Sequence, residues 1–396
     1  MSGGSTLMPA TGPLAPIDAG FRLHLAELGY AAGSIENHMR VLRQLDAWMA
    51  GEGLDLVGLT RTAVGRFCDQ RRLVASPPVV TPLLGYLDAA GVLVAGEIEM
   101  SEAEKLVAEF GDYLLAERGL AAGTVRLYQG VAGLFLAQCS EPIRDGLARL
   151  DAFTVDAFVV AECRRRGIAS AKSMVGGLRA LLKFAYLNGW TPRPLASVVP
   201  AVADRSGGSL PRGLDPADVA RLLSSCARDT AVGARDFAIL TVLARLGLRS
   251  NEVALLELSD VDWRAGEIQV RGKGNRLERL PVPRDVGDAL VDYLRRGRPR
   301  ALCRQLFLRS CAPPTALSST AVSAVVRAAC RRAGVTPVGA HCLRHSVAAE
   351  LLRRGAPLAE IGQLLRHKHA ATTAIYAKVD RGALTGLALE WPGGRS

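Results

Sequence analysis

An internal repeat near the amino terminus most limits how this chain can fold. The segments AELGYAAGSI, starting at Ala26, and AERGLAAGTV, starting at Ala116, share the pattern A-E-x-G-x-A-A-G-[ST]-[IV] at an offset of 90 residues. In both copies apolar residues recur at helical spacing, and a closing apolar segment stops at glycine. We therefore predict two small helical bundles related by duplication: residues 1–98, which include a flexible leader, and residues 99–199.

A change of pattern separates these bundles from the rest of the chain. The segment PAVADRSGGSLPRGL, residues 200–214, contains three glycines, two serines and two prolines, which predicts a linker. In residues 215–396 helical segments surround GEIQVRGKGNRLERLPVP, whose alternation on both sides of Gly-Lys-Gly-Asn indicates a β-hairpin. The predicted fold class is mainly α, with a small β-hairpin or sheet in an α+β carboxy-terminal domain.

The composition favours a polyanionic partner and a reducing compartment. Forty-nine Lys and Arg residues against 38 Asp and Glu residues give a net charge of +11, although an arginine-rich solvated surface gives the same charge. The eight cysteines are scattered without a C-x-x-C pair, which is typical of reduced thiols in a cytoplasm. No signal peptide and no uncharged run of about 18 apolar residues is visible, so we expect a cytoplasmic protein without a membrane span.

Two cations lie where the predicted structure changes direction. Arg249 follows the helix break at Gly247 and precedes a new helix start, so its side chain can point into a cleft. Lys273 lies between Gly272 and Gly274 at the hairpin tip, where it can reach into a groove. Either residue taken alone is more often an ordinary solvated charge.

A third group of candidates is the motif HCLRHS. His341 and Arg344 are three residues apart and therefore share one face of a helix. An imidazole beside a guanidinium suits a phosphodiester, because arginine binds two phosphate oxygens while histidine moves a proton. His345 could pair with His341 on a metal, but there is no H-E-x-x-H glutamate or nearby cysteine pair, and Arg344 would place a cation beside the metal. We predict no metal site.

The segment LLRHKHAATTAIYAKV contains His367 and, nine residues later, Tyr376. An isolated tyrosine is more often a half-buried packing residue than a reactive one. A phenol with a reference pKa of about 10 is a weak nucleophile unless nearby cations stabilise its developing charge. The candidate residues above would supply such an environment, whereas His369 is interpreted as a turn residue without a chemical role.

The order of these motifs along the chain resembles the catalytic signature of tyrosine recombinases. The motifs are ARLGLRSNEVALLELSDVDW, VRGKGNRLERLPVP, HCLRHS and the His367–Tyr376 segment. That family comprises the phage integrases and chromosome-dimer resolvases. The resemblance covers about the last 180 residues, and residues 101–189 resemble the family's helical core-binding domain. The chain departs from the family at Leu365-Arg366-His367, where Leu-Gly-His is common, so a side chain and a charge occupy a position often held by glycine.

The resemblance implies a reaction. Tyr376 would attack a scissile phosphate, form a 3′-phosphotyrosine bond and release a 5′-hydroxyl, with no ATP, metal or other cofactor required. Arg249 and Arg344 would hold the nonbridging oxygens and stabilise the transition state. Lys273 would protonate the leaving 5′ oxygen, and His341 would assist proton transfer at the tyrosine.

Two further residues complete the implied site. His367 would donate a hydrogen bond to a phosphate oxygen. Glu252, three residues after Arg249, would orient the site as a supporting carboxylate. An ordinary acidic residue interacting with the helix dipole is an equally good interpretation of Glu252.

The partners implied are double-stranded DNA at specific recombination sites and a homo-tetramer on two such sites, with accessory or sister recombinases left open. Two lobes joined by the linker would close around DNA as a C-shaped clamp, and the tail 379–391 would pack on a neighbouring subunit or fold back. The extra bundle 1–98, helical and SAM-like, would bind arm DNA or another subunit. The implied setting is integration, excision or transposition of a mobile element at a bacterial nucleoid.

Two rival functions remain at this point. A type IB topoisomerase uses the same kind of tyrosine and arginines but relaxes supercoils as a monomer. A non-catalytic DNA-binding relative would have lost the chemistry, yet every signature position is filled here.

Overall fold

The computed structural model describes residues 11–70, 77–93, 100–203, 213–272, 276–366 and 373. The chain divides into two compact units, one comprising Met1–Val94 with Gly208–Ser396 and the other Ala95–Gly207. Buried apolar side chains form three large cores, within residues 14–87, 106–199 and 222–343. Each predicted helical bundle therefore has its own core, as does the segment that carries the candidate residues.

The first bundle is described as four helices. They are α1 (Ala15–Glu27), α2 (Ala32–Gly51), α3 (Arg61–Gln70) and α4 (Pro77–Ala89). Asp46 on α2 accepts hydrogen bonds from the amides of Gly12 (2.8 Å) and Leu14 (2.7 Å), which fixes the chain that enters α1. Phe21, Met39 and other side chains with no exposed surface fill the space between the helices.

The second bundle repeats this order with one added helix. Its helices are α5 (Glu102–Ala116), α6 (Ala122–Leu136), α7 (Ile143–Ala148), α8 (Ala152–Arg164) and α9 (Ile168–Leu187). The starts of α2 and α6 differ by 90 residues, the offset of the sequence repeat. Gly29 and Gly119, at matching positions after α1 and α5, have φ values of 79° and 57°, which glycine adopts without steric cost.

The segment from residue 213 onward surrounds a small sheet with helices. The helices are α10 (Pro216–Ser224), α11 (Ala231–Leu246), α12 (Ser250–Leu255), α13 (Arg284–Asp292), α14 (Ser319–Arg332), α15 (Ala340–Arg353) and α16 (Leu358–Leu364). The strands β1 (Val261–Asp262), β2 (Glu267–Arg271) and β3 (Leu277–Pro281) pair antiparallel in the order β1-β2-β3. Ile268 and Val270 have no exposed surface, so one face of β2 packs on the core.

The predicted fold class, mainly α with a small β-hairpin or sheet, is confirmed. The domain boundaries at residues 98 and 199 and the linker 200–214 stay predictions. None of the helices in the described ranges combines the length and the apolar character that a bilayer crossing requires.

Candidate active site

Arg249 lies between two helices and is held by Glu252. Helix α11 ends at Gly247, whose φ of 57° turns the chain, and Arg249 is the N-cap residue of α12. Glu252 accepts a hydrogen bond from the Arg249 amide at 2.8 Å and one from Arg249 Nη1 at 2.6 Å. The Arg249 side chain keeps 35% of its surface exposed whereas that of Glu252 keeps 3%, so a buried carboxylate positions an accessible guanidinium.

The charge of Glu252 depends on its cationic neighbours. Burial by itself raises the pKa of this carboxyl group, because desolvation penalises the charged form. Arg366, followed by the hydrogen bonds and charge of Arg249, outweighs burial and holds the pKa below its usual range. Glu252 is therefore ionised at neutral pH and paired with both Arg249 and Arg366.

Arg344, on α15, is 1% exposed and connects the ends of two other helices. Its Nη1 donates to the Gly247 carbonyl at 2.6 Å, and its Nη2 donates to the carbonyl of Leu365, the C-cap residue of α16. Cations are stabilised at helix carboxyl ends, where carbonyls lack helical partners. A Cβ at Gly247 would lie 2.8 Å from Leu365 Cδ2, so glycine is required for this close approach.

His341 and His345 lie one turn apart on α15, with their ring centroids 4.6 Å apart in a T-shaped arrangement. Burial, with the nearby charges of Arg344 and Arg249, lowers the pKa of His341. Burial, with His341 and Arg344, lowers the pKa of His345 to about 4. Both imidazoles are consequently neutral at neutral pH, which leaves His341 able to accept a proton.

The low pKa of His345 predicts acid-sensitive stability. The unfolded chain takes up this proton near pH 6.5, while the folded protein takes it up only at about pH 4. The contribution of His345 to stability is therefore complete above about pH 6.5 and declines as the pH falls toward 4. We expect His345→Gln to lose less thermal stability than the unmutated protein between about pH 7 and pH 4. Equal losses in unfolding midpoint would contradict this prediction.

Arg366 lies at the position where the sequence has Leu-Arg-His instead of the Leu-Gly-His that is common in the family it resembles. Its backbone φ is 54°, in the left-handed region that favours glycine. Its side chain is 3% exposed; Nη2 donates to Glu252 Oε2 at 2.8 Å, and Nη1 donates to the Leu364 carbonyl at 3.0 Å. Sequence reasoning identified the substitution but not the ion pair, because the partners are 114 residues apart.

Three predicted site residues lie outside the described residues: Lys273, His367 and Tyr376. The strands on either side of residues 273–275 are paired, with Arg271 opposite Leu277, and the Gly272 amide donates to the Arg276 carbonyl at 2.8 Å. The structure thus brings together Arg249, Glu252, His341 and Arg344 from the described part of the predicted set. His369 and the tail 379–391 also lie outside the described residues.

A search of the described ranges finds no cluster of three or more His, Cys, Asp or Glu residues able to hold a metal ion. The His341–His345 pair is accompanied by Arg344, as the sequence indicated.

The family model and the related proteins point to the same kind of enzyme. Residues 212–382 match the phage integrase family model. Integrase/recombinase y4rA of Sinorhizobium fredii is 40% identical over 97% of this chain and 96% of that relative. Tyrosine recombinase XerD of Mycobacterium tuberculosis is 32% identical over 69% of this chain and 92% of that relative.

Solved structures share the fold. A lambda integrase fragment, crystallised as a dimer bound to a COC' core site, aligns with a TM-score of 0.52 and 17% identity, covering 74% of this chain and 98% of that one. XerH site-specific recombinase, in a post-cleavage complex with a difH substrate, aligns with a TM-score of 0.51 and 20% identity over 74% of this chain and 98% of that one.

Fold, site and relatives together define a site-specific recombinase, an enzyme that breaks and rejoins DNA strands. More particularly, the chain belongs to the tyrosine recombinase family.

Proposed function

We propose that Tyr376 is the nucleophile of the recombination reaction, within a phosphate site formed by Arg249, Lys273, His341, Arg344 and His367. One observation carries the proposal: Arg344 donates to the carbonyls of Gly247 and Leu365. These carbonyls lie two residues before Arg249 and two residues before His367. The segments leading to both residues therefore meet at the helix that bears His341 and Arg344.

The charges in the described part of the site suit a phosphodiester. The partly exposed guanidinium of Arg249, held by Glu252, can bind two phosphate oxygens and stabilise charge that develops in the transition state. Arg344 is buried and donates to the carbonyls of Gly247 and Leu365, close to the segment that leads to Arg249. We propose that it joins Arg249 in holding the nonbridging oxygens when DNA is bound.

The proposed proton transfers balance the reaction. The Tyr376 oxygen forms a bond to phosphorus while the bond from phosphorus to the 5′ oxygen breaks. Neutral His341 takes the phenolic proton, and Lys273 gives a proton to the leaving 5′ oxygen. The phosphotyrosine bond retains the energy of the phosphodiester, so a hydroxyl from a second duplex can reverse the reaction without ATP. His367 holds a phosphate oxygen in this scheme.

A nicked duplex tests the assignment directly. DNA from the region flanking the gene, nicked close to the cleavage point, loses the short strand after attack and traps the covalent complex. We expect digestion and mass spectrometry to find the nucleotide on the peptide that contains Tyr376. An adduct on another residue would remove Tyr376 from the role of nucleophile. Relaxation of supercoiled DNA by monomers, without exchange between two sites, would favour a type IB topoisomerase.

The DNA partner and domain roles follow from the same proposal. We propose that residues 99–199 and 215–396, joined by linker 200–214, both contact double-stranded DNA. The net charge of +11 supports a polyanionic partner whose binding weakens as salt concentration rises.

We propose residues 1–98 as an arm-binding or inter-subunit domain. We propose that the reaction serves integration, excision or transposition of a mobile element, in a bacterial cytoplasm at the nucleoid. The solved transposon integrase from Tn1549, in complex with circular intermediate DNA, supports the mobile-element part of this proposal.

We further propose a homo-tetramer on two DNA sites, with sister or accessory recombinases as additional partners. The segment VDRGALTGLALEW, residues 379–391, would pack on the neighbouring subunit. We expect deletion of the residues after Lys378 to preserve folding and the binding of one DNA site but to abolish pairing of two sites. Analytical ultracentrifugation of the protein with DNA measures whether one or two DNA sites are held in the complex. A tetramer that persists after the deletion would show that the tail folds back on its own subunit.

A further inference from the structure

We infer that Arg366 is a positioning residue that acts through Glu252 to connect Arg249 with the segment leading into His367. The inference rests on the roles proposed above for Arg249, His367 and Tyr376. It concerns the position at which this chain departs from the common Leu-Gly-His motif.

Glu252 is shared between two arginines that are distant in sequence. Its Oε2 accepts from Arg366 Nη2 and from the Arg249 amide, each at 2.8 Å, while Oε1 accepts from Arg249 Nη1 at 2.6 Å. The Glu252 and Arg366 side chains are each 3% exposed. A buried carboxylate is stable as an anion only when cations and hydrogen bonds replace its hydration. Arg366 therefore helps to keep Glu252 charged and aimed at Arg249.

Arg366 also faces the strand that follows the Lys273 turn. Its Nε lies 3.8 Å from Oε2 of Glu278, a partly exposed residue on β3. Nε has no hydrogen-bond partner among the described residues, so this contact is an ion pair at longer range. The guanidinium thus lies close to Glu252 on α12, whose N-cap residue is Arg249, and to Glu278 on β3. Arg366 itself immediately precedes His367 in the sequence.

The backbone conformation of Arg366 allows the role of its side chain to be tested separately from folding. A φ of 54° is sterically easy for glycine and costly for other residues, so arginine occupies the site at a conformational cost. The buried side chain is held there by its pair with Glu252. Arg366→Gly removes the pair while suiting the backbone, and it therefore separates the function of the side chain from the requirements of folding.

The experiment measures single-turnover formation of the covalent adduct by the full chain, with the nicked duplex that traps the unmutated enzyme. We expect Arg366→Gly to slow adduct formation by roughly 10- to 100-fold, as displaced reacting groups do. DNA binding should change far less. Arg366→Lys should react at a rate closer to that of the unmutated enzyme, because an ammonium can still pair with Glu252. Arg221→Ala, which breaks an exposed pair with Asp218 on α10, is the matched control and should leave the rate unchanged.

Two further readouts distinguish positioning from simple structural support. Without Arg366 the pKa of Glu252 should rise, so the acid side of the rate profile should move to higher pH. Combining Arg366→Gly with Glu252→Gln should slow the reaction little beyond the slower single variant, because both changes interrupt the same connection. Circular dichroism and the unfolding midpoint establish that each variant is folded.

A rate and pH profile for Arg366→Gly equal to those of the unmutated enzyme would overturn the inference, as would fully additive effects with Glu252→Gln. If the unmutated enzyme forms no adduct on Tyr376, the proposed function fails and this inference fails with it. If that adduct forms normally and only the Arg366 results disagree, the proposed function stands and the inference alone is rejected.

Discussion

Tyr376→Phe is expected to abolish the covalent protein–DNA adduct while leaving DNA binding intact. The change removes only the hydroxyl oxygen that would bond to phosphorus, and phenylalanine has no other nucleophilic atom. In the proposed site no cation can compensate, since Arg249 and Arg344 would bind phosphate oxygens but cannot supply the missing one. The loss should therefore be complete on the nicked duplex, as measured by denaturing gel electrophoresis of the trapped complex.

A second tyrosine provides the control for this experiment. Tyr186, on α9, is 43% exposed and has no proposed chemical role, so Tyr186→Phe should form adduct at the unmutated rate. An adduct that persists in Tyr376→Phe would place the nucleophile elsewhere and leave the recombinase fold without the proposed site.

Arg344→Leu is expected to cause the largest loss of stability among the site variants. It leaves the carbonyls of Gly247 and Leu365 without their charged donor, in a region where Arg344 is 1% exposed. Unsatisfied buried acceptors predict a decrease of about 3 kcal/mol in the free energy of unfolding. Adduct formation should also fall, because the segments that lead to Arg249 and His367 lose their connection. Urea unfolding and the nicked-duplex assay measure the two effects.

A lysine variant tests whether the geometry or only the charge of the Arg344 side chain stabilises the protein, and a second variant is its control. Arg344→Lys retains the charge but lacks the planar fork of donors, so it should recover only part of the lost stability. Arg353→Ala, near the other end of α15, removes a side chain that is 53% exposed and should change stability by less than about 0.5 kcal/mol. Full stability in Arg344→Leu would mean that the two carbonyls find other donors.

Much of the architecture could be predicted from local patterns. The repeat at an offset of 90 residues predicted two helical bundles, and the described helices follow that offset. Alternating residues around Gly-Lys-Gly-Asn predicted the hairpin that β2 and β3 form. These patterns are readable because helix and strand periodicity, glycine stops and turn residues act over a few neighbouring positions.

The sequence also singled out candidate residues, but it could not predict their environments. The sequence placed Glu252 near Arg249 with two interpretations equally open; the structure adds that its carboxylate accepts hydrogen bonds from the Arg249 amide and from Arg249 Nη1, and its supporting role stays a prediction. Arg344 at the phosphate stays a prediction, and the structure adds that its side chain donates to the carbonyls at two helix ends. Burial and partners depend on which helices pack together, and no short motif contains that information.

By itself, therefore, the sequence determined the helical repeats, the hairpin, the order of the signature residues and the departure from glycine at position 366. Only the tertiary structure decided that Arg366 closes an ion pair with Glu252 and that Arg344 joins Gly247 to Leu365. The physical reason is distance along the chain. Periodicity and capping are local, whereas a buried guanidinium finds partners about 100 residues away only after three helices have packed.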